Sequence, residues 1–139
     1  MNGSDARPPV LITGAAGFIG SALCRRLYSE RHRIAAYDDL SRGNHALLPP
    51  DITFIQGDIR DDARVRRAIQ AEEPETVIHL AAMHFIPDCI ARPQETMEVN
   101  VEGTRHVLES CRASSVRHII FASTAAVYAP VDAACAVEP

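Results

Sequence analysis

The sequence predicts an α/β protein built on a doubly wound parallel sheet. Short apolar runs alternate with amphipathic, helix-like segments along most of the 139 residues. This alternation is typical of parallel strands joined by right-handed helical crossovers. With 47% hydrophobic and 23% charged residues, the chain has the composition of one globular domain with a core. The simplest strand order for five such strands is 3-2-1-4-5.

The first half of the chain supplies three predicted strands and two predicted helices. The strands are expected at residues 10–13, 33–37 and 53–56, with a long polar loop over 39–51. The first helix, over 18–31, has apolar residues at three-to-four spacing, which predicts a buried stripe of Phe18, Ile19, Ala22, Leu23 and Leu27. The second begins after a cap at Asp61 or Asp62, ends before Pro74 and is expected to bury Val65, Ala68 and Ile69.

The second half supplies two strands and one long helix. The strands are expected at 76–80 and 118–122, and the helix at 94–113. The helix has a period near 3.6, which predicts a buried stripe of Met97, Val101, Thr104, Leu108 and Cys111. We therefore divide the chain into a polar leader, a sheet domain and a tail, at residues 1–9, 10–128 and 129–139.

Composition argues against several functional classes. The net charge of −4 is spread over mixed acidic and basic residues, so nucleic acid is not an expected partner. No apolar run approaches the roughly 20 residues of a membrane-spanning helix, and the first residues lack the apolar segment of a secretory signal, so we expect a cytoplasmic protein without a membrane partner. The four cysteines form no CxxC pair and are expected to be reduced, three of them packed; no metal site is predicted.

A glycine-rich segment lies between the first strand and the first helix. It has the sequence TGAAGFIG at residues 13–20, with the spacing G-x-x-G-x-x-G. Glycines at such a turn let backbone amides approach a pyrophosphate at the positive end of the helix dipole. Alone this spacing is weak evidence, but its place after a strand and before a helix predicts a Rossmann-type dinucleotide site.

Asp38 stands at the end of the second strand, where a carboxylate can accept the ribose hydroxyls of a dinucleotide. A carboxylate there repels a 2′-phosphate, which favours NAD over NADP. Arg42, four residues later, would suit a 2′-phosphate, and Asp38 would also suit a simple turn. Both alternatives stay open at this point.

Six segments together resemble one family, the extended short-chain dehydrogenase/reductases of the NAD-dependent epimerase/dehydratase type, similar to UDP-glucose 4-epimerases. The resemblance covers 10–128, the N-terminal portion of such proteins. Its motifs are TGAAGFIG, YDDLSRGN, GDIRD, HLAA, VNVEGT and STAAVY, in that order. It implies NAD as the cofactor and a nucleotide sugar as the substrate of an intact relative.

The resemblance also implies roles for individual residues. The implied cofactor contacts are Gly14, Gly17, Phe18, Ile19 and Gly20 at the pyrophosphate, Asp38, Asp39 and Leu40 at the ribose, Asp58 and Ile59 at the adenine, and Leu80, Ala81, Ala82, His84, Asn100 and Ser123 along the cleft. Thr124 matches the auxiliary catalytic hydroxyl that hydrogen-bonds the sugar.

The catalytic Tyr and Lys of the family's YxxxK pair have no match in this sequence. The chain contains no lysine, and Tyr28, Tyr37 and Tyr128 are followed four residues later by residues other than lysine. We therefore expect the chain to be the cofactor-binding part of an epimerase or dehydratase, truncated before the remaining strands and the substrate domain, and inactive alone. Two alternatives stay open: a non-catalytic, redox-sensing module, and a subunit completed by a partner chain. A homo-oligomer is a further open arrangement.

Overall fold

The computed structural model describes residues 9–124, so the leader up to residue 8, the last part of the predicted sheet domain (125–128) and the tail 129–139 lie outside the described residues. Five parallel strands form one sheet, in the order β3-β2-β1-β4-β5. They are β1 Val10–Thr13, β2 Ile34–Asp38, β3 Thr53–Gln56, β4 Thr76–His79 and β5 His118–Phe121. The predicted fold class and strand order are confirmed.

Helices connect the strands. They are α1 Phe18–Ser29, a 3₁₀ turn at His45–Leu47, α2 Asp62–Glu72, α3 Ile86–Ala91, α4 Pro93–Met97, a π-helical segment Glu98–Gly103 and α5 Thr104–Arg112. Asp61 is the cap of α2, because its side chain accepts a hydrogen bond from the Arg64 amide. Within residues 9–124 no helix is long and apolar enough to cross a bilayer.

The sheet has a hydrophobic core on each face. Alternate residues of β1 point to opposite faces, so Leu11 packs with the α2 and α5 residues while Val10 and Ile12 pack on the α1 side. Cys111 is buried in the first core and Cys24 in the second, and burial raises the pKa of both thiols to about 11. The strand order reverses between β1 and β4: β2 and β3 lie on one side of β1, and β4 and β5 on the other. In parallel sheets, ligands generally bind at such a reversal, beside the carboxyl ends of the strands.

The predicted buried stripe of α1 is wrong for Phe18, Ile19 and Ala22, which are exposed. The buried residues are the small ones, Gly20, Ser21 and Cys24, because α1 lies close against the strands and the glycine turn. Leu23 and Leu27 are partly buried as expected. The spacing of the large apolar residues therefore did not identify the face of α1 that packs on the sheet, which carries small side chains.

The predicted stripe of the long helix is wrong for Met97, Val101 and Leu108, which are exposed. Its packed face carries the small or short side chains of Gly103, Val107, Ser110 and Cys111. The π-helical segment adds a residue to one turn and so rotates α4 relative to α5. A single period of 3.6 cannot describe both parts of such a helix.

Smaller differences concern the ends of elements. The second strand begins at Ile34 and includes Asp38, while β4 and β5 each end one residue earlier than predicted. Helix α3, which begins with Ile86 and Pro87, was not predicted, although proline in a first helical turn is a recognised start signal.

Candidate functional site

The glycine turn after β1 is tightly packed against two neighbours. Gly14 has φ +68°, and a β-carbon there would come within 2.7 Å of the Ala81 amide nitrogen. A β-carbon on Gly20 would overlap the Gly14 carbonyl oxygen and lie 2.7 Å from the Ala15 α-carbon. These two glycines are therefore required by backbone conformation and close approach.

Gly17 has a different environment. It is the residue before α1, and an added β-carbon would meet only the Gly14 carbonyl oxygen, at 3.3 Å. No side chain caps α1, and the Phe18 side chain is 92% exposed. The first amides of α1 therefore present unpaired donors and the positive end of the helix dipole over an open glycine, an arrangement that suits a phosphate.

Asp38 is 7% exposed and joins two loops through its carboxylate. Its Oδ2 accepts from the Ala16 amide at 2.9 Å, and its Oδ1 accepts from the Leu40 amide at 2.8 Å. The second bond is the turn-forming contact, so Asp38 does shape its own loop. Each carboxylate oxygen can accept a further hydrogen bond, as binding to a ribose diol requires. Asp38 can therefore shape its loop and bind a ribose as well.

The loop after β2 wraps around this carboxylate. A β-carbon on Gly43 would lie 2.7 Å from Asp38 Oδ1, so the backbone passes close to the acid. Asp39 is exposed and accepts from the Ser41 amide and hydroxyl. The Arg42 guanidinium pairs with Asp88 on α3, so it is engaged by a carboxylate on the other side of β1.

Asp58 and Ile59 follow β3. Burial raises the pKa of the Asp58 carboxyl, but hydrogen bonds from the Arg60 side chain and amide outweigh that effect and hold the pKa below its usual value. The Asp58 carboxylate is thus ionised, and its Oδ2 accepts hydrogen bonds from the Arg60 guanidinium. The Ile59 side chain is buried in the core, close to Gly103, so only its backbone is available to flank a base.

The segment after β4 lies beside the glycine turn. Leu80 and Ala81 donate their amides to Thr13 Oγ1, at 3.2 and 3.3 Å, while Ala82 and His84 are exposed. Asn100, in the π-helical segment, accepts from the Met83 amide at 2.8 Å and donates to the Met83 carbonyl at 2.9 Å. Asn100 therefore clamps the backbone of this segment.

The structure brings the glycine turn, Asp38 and the Leu80–Ala81 backbone together at the carboxyl ends of β1, β2 and β4. Ser123 and Thr124 follow β5 and are exposed at the same edge of the sheet, and Tyr128 lies outside the described residues. Sequence reasoning gave no role to His79, which is buried between Thr13 and Thr104. A polar, titratable residue directly after the apolar pair Val77 and Ile78, at the end of a buried strand, is a signal that could have drawn attention to it.

Comparison with known proteins identifies the family. A model of the NAD dependent epimerase/dehydratase family matches residues 10–138. This chain belongs to that family. The predicted family and the dependence of its members on NAD are confirmed.

The relatives include UDP-glucose 4-epimerases. The chain is 36% identical to one from Klebsiella pneumoniae over 86% of its own length and 91% of the relative, and 38% identical to one from Halalkalibacterium halodurans over 86% and 35%. A solved Thermus thermophilus UDP-glucose 4-epimerase in complex with NAD has 36% identity and a TM-score of 0.81, over 84% of this chain and 37% of that one. The chain thus spans little more than a third of the length of the latter two relatives.

Proposed function

We propose that this chain binds NAD at the carboxyl ends of β1, β2 and β4, as the dinucleotide-binding portion of a nucleotide-sugar epimerase. The pyrophosphate would lie over Gly17 at the start of α1, and the adenosine ribose at Asp38. The observation that carries the proposal is the contrast among the three glycines: Gly14 and Gly20 are enclosed by backbone, whereas Gly17 opens onto the uncapped helix. A turn that served packing alone would not need the open glycine.

We propose that the cofactor is NAD in preference to NADP. A 2′-phosphate would approach the Asp38 carboxylate in a partly desolvated cleft, which costs on the order of 1–3 kcal/mol. Arg42, the nearest cation in sequence, is already paired with Asp88. Both observations oppose binding of a 2′-phosphate.

We propose that the remaining predicted residues act from neighbouring positions. Asp58 would accept from the adenine amino group with the acceptor capacity that Arg60 leaves, and His84, exposed after β4, would face the phosphates. Thr124 would hydrogen-bond the sugar hydroxyl that reacts. The substrate class, a nucleotide sugar, follows from the UDP-glucose 4-epimerase relatives.

We propose that these 139 residues bind NAD but do not turn over a nucleotide sugar. In the family that the sequence resembles, the general base is a tyrosine whose pKa, near 10 in water, is lowered by a lysine. This sequence has no lysine. Loss of general-base assistance removes a rate factor of roughly 10²–10⁴.

The test is calorimetric titration of the chain with NAD and with NADP. We expect saturable, one-to-one binding of NAD and weaker binding of NADP. Gly17→Val should abolish NAD binding while the chain stays folded, because its side chain would occupy the open space over α1. Binding of NAD by folded Gly17→Val at full affinity would contradict the proposed site.

Asp38→Asn is the variant for selectivity. The asparagine removes the charge and keeps an acceptor oxygen for one of the two loop amides, so the bond to the other amide is lost. We expect the preference for NAD over NADP to fall by about tenfold, the equivalent of 1.4 kcal/mol. An unchanged preference would show that Asp38 only shapes its loop.

A further inference from the structure

His79, the last residue of β4, is buried between hydrogen-bond partners from two other elements. It is 2% exposed, and both ring nitrogens are engaged. Nδ1 lies 2.6 Å from Thr13 Oγ1 of β1, and Nε2 lies 2.9 Å from Thr104 Oγ1 of α5. A neutral histidine ring donates from one nitrogen and accepts at the other, so its tautomer depends on the other hydrogen bonds that each hydroxyl makes.

The partners decide which tautomer that is. Thr104 Oγ1 donates its only hydrogen to the Asn100 carbonyl at 2.8 Å, so it can only accept from His79 Nε2. Thr13 Oγ1 already accepts from the Leu80 and Ala81 amides, so its hydrogen is free to be donated to His79 Nδ1. His79 is therefore neutral, with the proton on Nε2. Burial agrees with this state, since it lowers the pKa of His79 to about 4.

The resulting chain of hydrogen bonds reaches both sides of the cleft. At one end, Thr13 fixes the Leu80–Ala81 backbone, against which Gly14 packs so closely that no β-carbon fits. At the other end, Thr104 fixes the π-helical segment at Asn100, and Asn100 in turn clamps Met83. One side chain thus joins the two attachments that set the path of residues 80–83.

We propose that His79 is a positioning residue for the cofactor site: through Thr13 and Thr104 it sets the spacing between the glycine turn and the 80–83 segment that NAD requires. The inference rests on the proposed NAD site and assigns to it a residue that does not touch the cofactor. A histidine that served packing alone would tolerate loss of either hydroxyl without any effect on NAD.

The first test is the tautomer, which does not depend on NAD. Nitrogen-15 NMR of the unmodified chain at neutral pH should show His79 Nε2 protonated and Nδ1 unprotonated. The opposite tautomer, or an average of the two, would overturn the inference.

The second test compares matched variants at each end of the hydrogen-bond chain. Thr104→Val and Thr13→Val remove a hydroxyl with little change of shape, whereas Thr104→Ser and Thr13→Ser keep it. NAD affinity is measured by calorimetry on chains shown by circular dichroism to be folded at the temperature used. We expect about a tenfold loss of affinity in each valine variant, the scale of one buried hydrogen bond, and at most about a twofold loss in each serine variant.

The outcomes separate the two proposals. Saturable NAD binding by the unmodified chain, with folded valine and serine variants of equal affinity, overturns the positioning role alone. Absence of NAD binding by the unmodified chain overturns the proposed function and, with it, this role. If one valine variant fails to fold, the pair at the other threonine decides the question.

Discussion

The two strands that flank β4 differ sharply in their surroundings. In β1 all four residues are buried, whereas in β5 all four are exposed. The contrast is clearest along one row of the sheet, where Ile12, Ile78 and Ile120 lie side by side in register. Ile12 is fully buried and Ile120 is 54% exposed.

This difference in burial coincides with the two roles that we propose for the carboxyl edge of the sheet, cofactor binding and contact with the sugar. The buried side of the sheet carries the glycine turn and Asp38, whose polar groups are hydrogen-bonded and held by close packing. The exposed side leads into Ser123 and Thr124, and the family resemblance matches Thr124 to the hydroxyl that hydrogen-bonds the sugar. Within residues 9–124, the residues of the proposed NAD site are therefore held by close packing, whereas Ser123 and Thr124 are exposed.

The largest expected effect comes from truncating the two isoleucines of that row. Ile12→Ala should lower the free energy of unfolding by roughly 2–5 kcal/mol, because it leaves a cavity in a packed core. Ile120→Ala removes the same atoms from an exposed strand and should cost less than about 1 kcal/mol. Urea denaturation followed by circular dichroism measures both. Equal costs would show that β5 is as well packed as β1.

The next effect is a dependence of stability on pH through His79. Its pKa is about 4 in the folded chain and about 6.5 in the unfolded chain. The unfolded state therefore binds more protons between these values, and the contribution is complete above pH 6.5 and is lost as the pH falls toward 4. Between pH 7.5 and pH 5 we expect a loss of about 2 kcal/mol.

His79→Gln is the matched control for that experiment, since glutamine does not titrate. The difference in unfolding free energy between the unmodified chain and His79→Gln should shrink by the same amount over this pH range. If the difference is constant with pH, His79 is not buried in its neutral form.

The smallest effect concerns Arg42. Asp88→Asn removes the carboxylate that engages the Arg42 guanidinium, which becomes available to a 2′-phosphate. Exposed ion pairs contribute at most about 1 kcal/mol, so NADP affinity should rise by up to about fivefold. Titration with NADP checks this, and Glu109→Gln, which breaks a surface pair with Arg105, is the control. An equal rise in both variants would reflect net charge alone.

Local patterns were sufficient to predict the sheet and the glycine turn. A short buried strand followed by TGAAGFIG and an amphipathic helix has few alternative structures. The expected role of Asp38 came from its place at the end of the next strand, about 20 residues after the glycine motif. The register of helix faces was not predictable in the same way. Gly20, Ser21 and Ser110 lie on the buried faces of their helices although they are small, and at Gly20 a β-carbon would overlap the Gly14 carbonyl oxygen. The periodicity of large apolar residues does not report such positions.

The contacts of the site also depend on long-range partners. Thr13 and His79 are 66 residues apart, and Asn100 reaches the Met83 backbone from a π-helical segment that the sequence did not predict. The pairing of Arg42 with Asp88 joins the loop after β2 to α3, on the other side of β1. The spacing of residues within one helix or strand does not predict which distant residues come into contact.

The most direct test of the NAD site is an NMR titration of isotope-labelled chain with NAD. We expect the amide signals of Gly17 to Gly20, Leu40 and Leu80 to Ala82 to shift in a saturable way, while those of α2, on the face away from the glycine turn, stay in place. Saturable shifts confined to α2 and α5, or no saturable shift at any residue, would contradict it.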